Sequence, residues 1–326
     1  MNAQAPFSEL SPEAVLDALE VLEYHCDGRV LALNSYENRV YQIGIEDGEP
    51  VVAKFYRPGR WRDAAIAEEH AFAAELAAHE IPVVAPLVRH GTTLHFHRGF
   101  RFAVFARRGG RWPELATADD REWVGRFLGR IHAVGRAAAF HERAHLSIEE
   151  LGIRARDFVL EGAWMPDYLA TKYADLTEAL LQEIEAQASH WGGARQGRIL
   201  GDCHRGNILW TELGPHFVDL DDCVTGPAIQ DLWMLLAGTQ EEMRKDLTDI
   251  LKGYEQFLAF DRRELALIEP LRALRMIHYS AWLARRWDDP AFPKAFPWFA
   301  EPRYWEEHYR ALEDQLAAVL GPPLEL

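Results

Sequence analysis

Two short runs constrain this chain more than anything else in it. The first is Ile199-Leu200-Gly201-Asp202-Cys203-His204-Arg205-Gly206-Asn207-Ile208-Leu209-Trp210, and the second is His216-Phe217-Val218-Asp219-Leu220-Asp221-Asp222. Each joins an apolar, β-prone stretch to a polar loop. Asp202 stands five residues before Asn207, and Asp219 follows twelve residues later at the end of an apolar strand. The order strand, loop, strand brings two carboxylates and an amide to adjacent strand ends. An isolated Asp or Asn usually serves a turn or a cap, but three in this order point to a site.

The spacing is that of a kinase catalytic loop. Phosphoryl transfer asks little covalent chemistry of a protein, because catalysis is mostly positioning and charge neutralisation. Asp202 is expected to accept the proton of the attacking hydroxyl, with Asn207 and Asp219 holding Mg²⁺ against the phosphates of ATP. His204 reads as part of the loop's scaffold rather than as a base.

The rest of the chain is compatible with this. Its 326 residues, 48% hydrophobic and 26% charged, suffice for two lobes with separate cores. A net charge of -16, from 35 basic and 51 acidic residues, disfavours a nucleic-acid partner. It does not disfavour a nucleotide, because Mg²⁺ brings positive charge to an acidic site. No apolar run approaches the roughly 18 residues of a membrane span, and Met1 to Pro6 lacks a secretory pattern, so a cytoplasmic location is expected. Cys26, Cys203 and Cys223 show neither a disulfide framework nor a zinc-ribbon spacing. Two of them flank the carboxylates, which raises a redox-sensing reading against the ordinary one of small apolar residues.

Ser11-Pro12-Glu13 opens a helix. The stretches 39–45 and 50–56 flank the turn Glu46-Asp47-Gly48 as a hairpin, residues 63–79 read as a helix, and 87–90, 92–95 and 100–105 read as strands. One helix is thus inserted between the second and third expected strands. After Arg107-Arg108-Gly109-Gly110 come long helices at 119–135, 168–191, 241–260 and 263–287. The expected fold is α+β and bilobal, like a protein kinase. Residues 1–106 form a small lobe of antiparallel sheet plus helix, and residues 107–326 a larger, mainly helical lobe.

Lys54, in Val51-Val52-Ala53-Lys54, echoes the strand lysine that contacts nucleotide phosphates. Its expected partner is Glu69, which lies near the apolar face of the 63–79 helix, with Glu68 as the fallback. No Gly-x-Gly-x-x-Gly precedes the hairpin. In its place Asn34 and Ser35 could turn the backbone and donate to phosphate. No Lys is followed by Ser or Thr, which excludes a Walker A loop. Backbone between Arg101 and Arg107 is expected to take the adenine. Asp231 begins a helix and can brace the catalytic loop's backbone. His141-Glu142-Arg143-Ala144-His145 matches a zinc-protease pattern, but the capping sequence Ser147-Ile148-Glu149-Glu150 places it at a junction.

With these residues in place, the chain resembles the bacterial stress response kinase A family, within the aminoglycoside phosphotransferase and choline kinase superfamily. The strings that carry the likeness are Leu33 to Tyr41, Lys54 to Pro58, Gly201 to His204, Val218 to Asp222, Gln230 to Leu236, and Asp289-Pro290-Ala291-Phe292-Pro293-Lys294-Ala295-Phe296-Pro297-Trp298. The resemblance implies a monomeric, cytoplasmic, ATP- and Mg²⁺-dependent serine/threonine protein kinase linked to envelope stress. Asp202 and Asp219 match the family's active-site aspartates, Asn207 and Asp219 its metal ligands, and Ser35 its nucleotide-loop serine. A protein acceptor comes from the resemblance alone. Two other readings stand beside it: a small-molecule kinase with the same machinery, and a nucleotide-binding regulator without turnover. The family usually has His before the Gly-Asp pair. Here that position is Leu200, so apolar packing is expected to hold the loop.

Overall fold

The computed structural model describes residues 5–187 and 194–326. Helix α1 (Pro12–Glu20) starts where Ser11 Oγ accepts the Ala14 amide, with Pro at its first turn. Five strands follow, β1 (Cys26–Ala32), β2 (Arg39–Ile45), β3 (Val51–Phe55), β4 (His95–His97) and β5 (Phe100–Ala106), with helix α2 (Asp63–Ala78) between β3 and β4. They form one antiparallel sheet in the order β1-β2-β3-β5-β4. Strand alternation decides which side chain meets what. Val51, Ala53 and Phe55 of β3, with Phe100, Phe102 and Val104 of β5, pack against α1. Lys54 and Ala103 face the other way, toward α2.

The sequence reading missed β1, so α2 follows the third strand rather than the second. The stretch 87–90 is not a strand either. It contributes only local bridges, with the Leu87 amide donating to the Val104 carbonyl at 2.7 Å.

Helix α3 (Ala118–Gly135) opens with a capping box between Thr117 and Asp120. A π-helical turn at 149–153 leads into α4 (Arg154–Glu161), followed by α5 (Asp167–Ala186). Of the helix expected at 168–191, residues 188–191 lie outside the described residues. Two small hairpin-like pairs come next. Strand β6 (Gln196–Ile199) pairs with β9 (Val224–Pro227), and β7 (Ile208–Thr211) with β8 (Gly214–Phe217). The chain ends in α6 (Ile229–Trp233), α7 (Gln240–Tyr254), α8 (Ile268–Arg285), α9 (Ala291–Ala295) and α10 (Pro302–Leu320). Helix α8 starts later than expected, because Pro270 has no amide to donate and is tolerated only in a first turn. The six residues before it form a 3₁₀ helix.

Phe72 and Leu76 of α2 share a core with Leu200, Cys203, Leu220 and the α3 and α7 side chains. A second core joins α4, α5, α8 and α10 around Tyr173, Phe299 and Trp305.

Candidate active site

Strand register builds the site. Ile208 lies opposite Phe217, so the Val218 amide donates to the Asn207 carbonyl at 3.0 Å and sets Asn207 beside Asp219. Ile199 lies opposite Val224, which carries residues 200–202 alongside 222–223. Gly201 (φ +81°) passes so close that a Cβ there would lie 2.2 Å from the Asp222 carbonyl. Asp219 itself adopts φ +57°, a left-handed conformation uncommon outside glycine, at the turn out of β8.

Lys54, on the face of β3 that looks away from α1, enters this cluster almost fully buried. Its Nζ lies 3.3 Å from Glu69 Oε1, 2.9 Å from Asp219 Oδ1 and 3.1 Å from Asp221 Oδ1. Burial works to lower the Lys54 pKa, but Asp219, Asp221 and Glu69 together outweigh it, so the ammonium is held well above its ordinary range. Burial pushes the Glu69 carboxyl up to about 7, against the pull of Lys54. Glu68 points elsewhere, accepting the amides of His141, Glu142 and Arg143 at 2.7, 2.8 and 2.9 Å. Neighbours on a helix are turned about 100° apart, which separates these two carboxylates.

Asp202 and Asn207 face the same cleft. Asn207 Nδ2 donates to the Asp202 carbonyl at 3.0 Å, which fixes the amide and leaves its oxygen for another partner. His204 Nδ1 accepts the Gly206 amide, so its proton sits on Nε2, 3.4 Å from Asp202 Oδ2. Asp202 Oδ1 is buried and takes no hydrogen bond of ordinary geometry, although Arg275 Nη1 stands 2.7 Å away. Burial works to raise this carboxyl, but His204 and Arg275 outweigh it and hold it at about 2. Asp202 is therefore ionised, with no hydrogen bond taken at Oδ1.

The loop carrying Asp202 is held by its backbone. Asp231 accepts the Leu200 and Gly201 amides, both at 2.8 Å, and pairs with His132 Nε2 at 2.9 Å. His132 Nδ1 reaches the Tyr254 hydroxyl at 3.0 Å. Leu200 is buried in the core, as expected, and a polar brace from α3 and α6 holds the loop's backbone beside it.

Several contributors were not singled out in the sequence. Asp221 is buried, accepts Asn38 Nδ2 at 3.1 Å and pairs with Arg60. Its carboxyl is held far below the usual range because Arg60, Lys54 and Arg143 outweigh its burial. Arg60 also pairs with Asp222, and Arg143 donates to the Cys223 carbonyl at 2.9 Å. These contacts join residues 80 to 183 positions apart, beyond the reach of any local pattern.

The structure does not bring Asn34 and Ser35 to the Lys54 cluster. Asn34 is exposed, and Ser35 Oγ donates back to the Asn38 carbonyl at 3.3 Å. The side chains that tie that loop to the rest of the protein are the partly buried Glu37 and the buried Asn38. The Arg101 and Val104 carbonyls already accept Tyr56 and Leu87 amides, which moves any free backbone acceptor toward Arg107. An open depression of about 620 Å³ flanks the following segment, lined by Gly109, Gly110, Trp123 and Trp210 but by none of the clustered carboxylates. His141 to His145 is not helical, and His145 bridges to Thr225. Cys203 and Cys223 are buried, and burial pushes both thiols well up, so neither is a ready thiolate.

Asn207 and Asp219 fit Mg²⁺, which binds through one or two protein oxygens and completes its shell with phosphate and water. The fixed Asn207 amide and the half-exposed Asp219 carboxylate supply that donor set. Among the described residues there is no group of three or more His, Cys, Asp or Glu side chains able to hold a metal alone.

An antiparallel sheet with one inserted helix above a helical body, and a cleft with one lysine among carboxylates, define a phosphotransferase of the kinase type. The chain belongs to the phosphotransferase enzyme family, whose model matches residues 29–268. It is 45% identical over 329 residues to stress response kinase A of Escherichia coli O157:H7, covering 100% of this chain and 98% of that protein. It is equally 45% identical over 328 residues to the serine/threonine protein kinase RdoA of Salmonella typhimurium, covering 100% and 99%. Among solved structures, amicoumacin kinase hAmiN in complex with AMP-PNP, Ca²⁺ and Ami superposes with a TM-score of 0.69 at 21% identity, over 92% of this chain and 93% of that one.

Proposed function

We propose that this kinase transfers the γ-phosphoryl group of ATP to a Ser or Thr hydroxyl of a protein, as part of a stress response. The observation that supports the phosphoryl-transfer part is that Lys54 pairs with Asp219 while Asn207, held beside Asp219 by the Val218 amide, donates to the Asp202 carbonyl and so links the three side chains in one site. The Ser/Thr acceptor and the stress role are supported by relatives of that name at 45% identity over the full chain.

Lys54, steadied by Glu69, binds phosphate oxygens and orients the nucleotide. Asn207 and Asp219 hold Mg²⁺, which when bound neutralises the charge that develops on the phosphoryl oxygens. Asp202 accepts the hydroxyl proton and aligns the oxygen for in-line attack. Asn34 and Ser35 are assigned to the phosphate-covering loop. The lobes divide at 106/107, just past β5, and the protein acts as a cytoplasmic monomer; among the described residues no helix is long and apolar enough to cross a membrane.

The test is incubation with γ-labelled ATP and Mg²⁺ against lysate protein, generic protein substrates and a panel of hydroxyl metabolites. Label in protein, absent from Asp219→Ala, is expected. Label confined to a metabolite would replace the protein acceptor with a small one, and nucleotide binding with no ATP consumption would make the chain a regulator.

A further inference from the structure

The residues on and just after α8 that reach Asp202 and the β1–β2 loop include two arginines, Arg275 and Arg286, in a chain of net charge -16. Arg275 lies on α8 with its side chain 43% exposed and its guanidinium against Asp202. Among the described residues Asp202 is its one ion-pair partner. Arg275, Tyr279, Trp282 and Arg286 follow helical spacing and share a face of α8. Tyr279 stacks on Trp282 at 5.7 Å, and Trp282 and Arg286 both donate to Glu37 in the β1–β2 loop. This face therefore runs from the Asp202 carboxylate to the loop over the nucleotide side of the cleft.

The carboxylates near it are already matched. Glu37 is held by Arg286 and Arg57, Asp222 by Arg60, and Asp219 by Lys54. Arg275 differs, because its partner is the group that must turn to the acceptor. Half-exposed beside the carboxylate that receives the acceptor, Arg275 is open to a second anionic partner. Burial first, then the charges of Arg285, Arg286, Arg275 and Arg60, hold the nearby His278 imidazole down at about 4. Its Nδ1 is buried without a hydrogen-bond partner.

We infer that Arg275 is a specificity-determining residue that selects acceptors bearing negative charge beside the reacting hydroxyl, namely Ser or Thr within an acidic stretch of protein. This rests on the protein acceptor of the proposed function. An acidic side chain next to the hydroxyl joins Asp202 as a second partner of Arg275, whereas a cationic acceptor places like charges together.

The experiment uses the full chain with Mg²⁺ and ATP, and two peptides that differ only in Glu or Lys on either side of one Ser. The wild type is expected to favour the Glu peptide by about tenfold in kcat/KM, mainly through KM. Arg275→Lys keeps the preference. Arg275→Glu shifts it to the Lys peptide with the KM for ATP unchanged, which shows that the fold and nucleotide site are intact. Equal use of both peptides by the wild type overturns the charge rule and leaves protein phosphorylation standing. So does an Arg275→Glu enzyme slowed on both peptides alike, which would make Arg275 a prop for Asp202. Label in neither peptide, with label in choline or an aminoglycoside, overturns the protein-acceptor reading and the inference with it.

Discussion

Asp231 shows how much of the site depends on one buried acid. It accepts two backbone amides and an imidazole with no exposure of its own. Asp231→Ala strands all three donors, and about 3 kcal/mol of stability is expected to go with them, read as a lower urea midpoint. Leu200→His is expected to raise turnover by less than about tenfold, because the brace runs through the backbone amide and not the side chain; initial-rate measurement decides. At this scale the sequence was partly legible. Spacing alone picked out Asp202, Asn207 and Asp219, and the motif Val51-Val52-Ala53-Lys54 picked out Lys54. His132, Arg60 and Asp221 gave no signal, because each acquires its partner only when distant segments meet.

The crossing of α3 and α7 determines how the elements stack. A Cβ on Gly125 would lie 1.9 Å from the Ile250 carbonyl, and one on Gly253 would lie 1.9 Å from the Glu122 carbonyl. These are backbone-to-helix contacts that no rotamer change can relieve. Gly125→Ala must push the helices apart, at an expected cost of about 3 kcal/mol, measured by denaturation of the purified protein. Helix starts were legible where a cap announced them, as at Ser11 and Thr117. Helix ends and short strands were not: α7 stops at Tyr254 rather than Phe260, and β1 lacks the clean alternation that marks a strand, with a register shift between Cys26 and Val30.

The two lobes are tied together by charge. Asp289 receives Arg39 at 3.0 Å and Arg57 at 2.7 Å, and Arg57 also lies over the Phe292 ring at 5.4 Å. The string around Asp289 looked distinctive in the sequence, but its role as a clasp across 250 positions required the fold. The whole molecule also carries a pH signature. His70, His278 and His308 are held down at about 3, 4 and 4, chiefly by burial. Each is whole in its contribution above the ordinary imidazole pKa of about 6.5, and that contribution is lost as pH falls below it. Glu69 and Asp222, raised by burial to about 7 and 6, act in the opposite sense, the half-exposed Asp222 counting for less. Stability at pH 5 is expected to lie about 2 kcal/mol below that at pH 7 without nucleotide, by urea denaturation. The central claim is that this cleft, with Asp202 as proton acceptor, moves phosphate from ATP to protein. Its most direct test is the initial rate of label transfer from γ-labelled ATP into protein for Asp202→Ala beside the wild type. A fall of about a thousandfold or more, with ATP binding retained, is expected; transfer at the wild-type rate would contradict it.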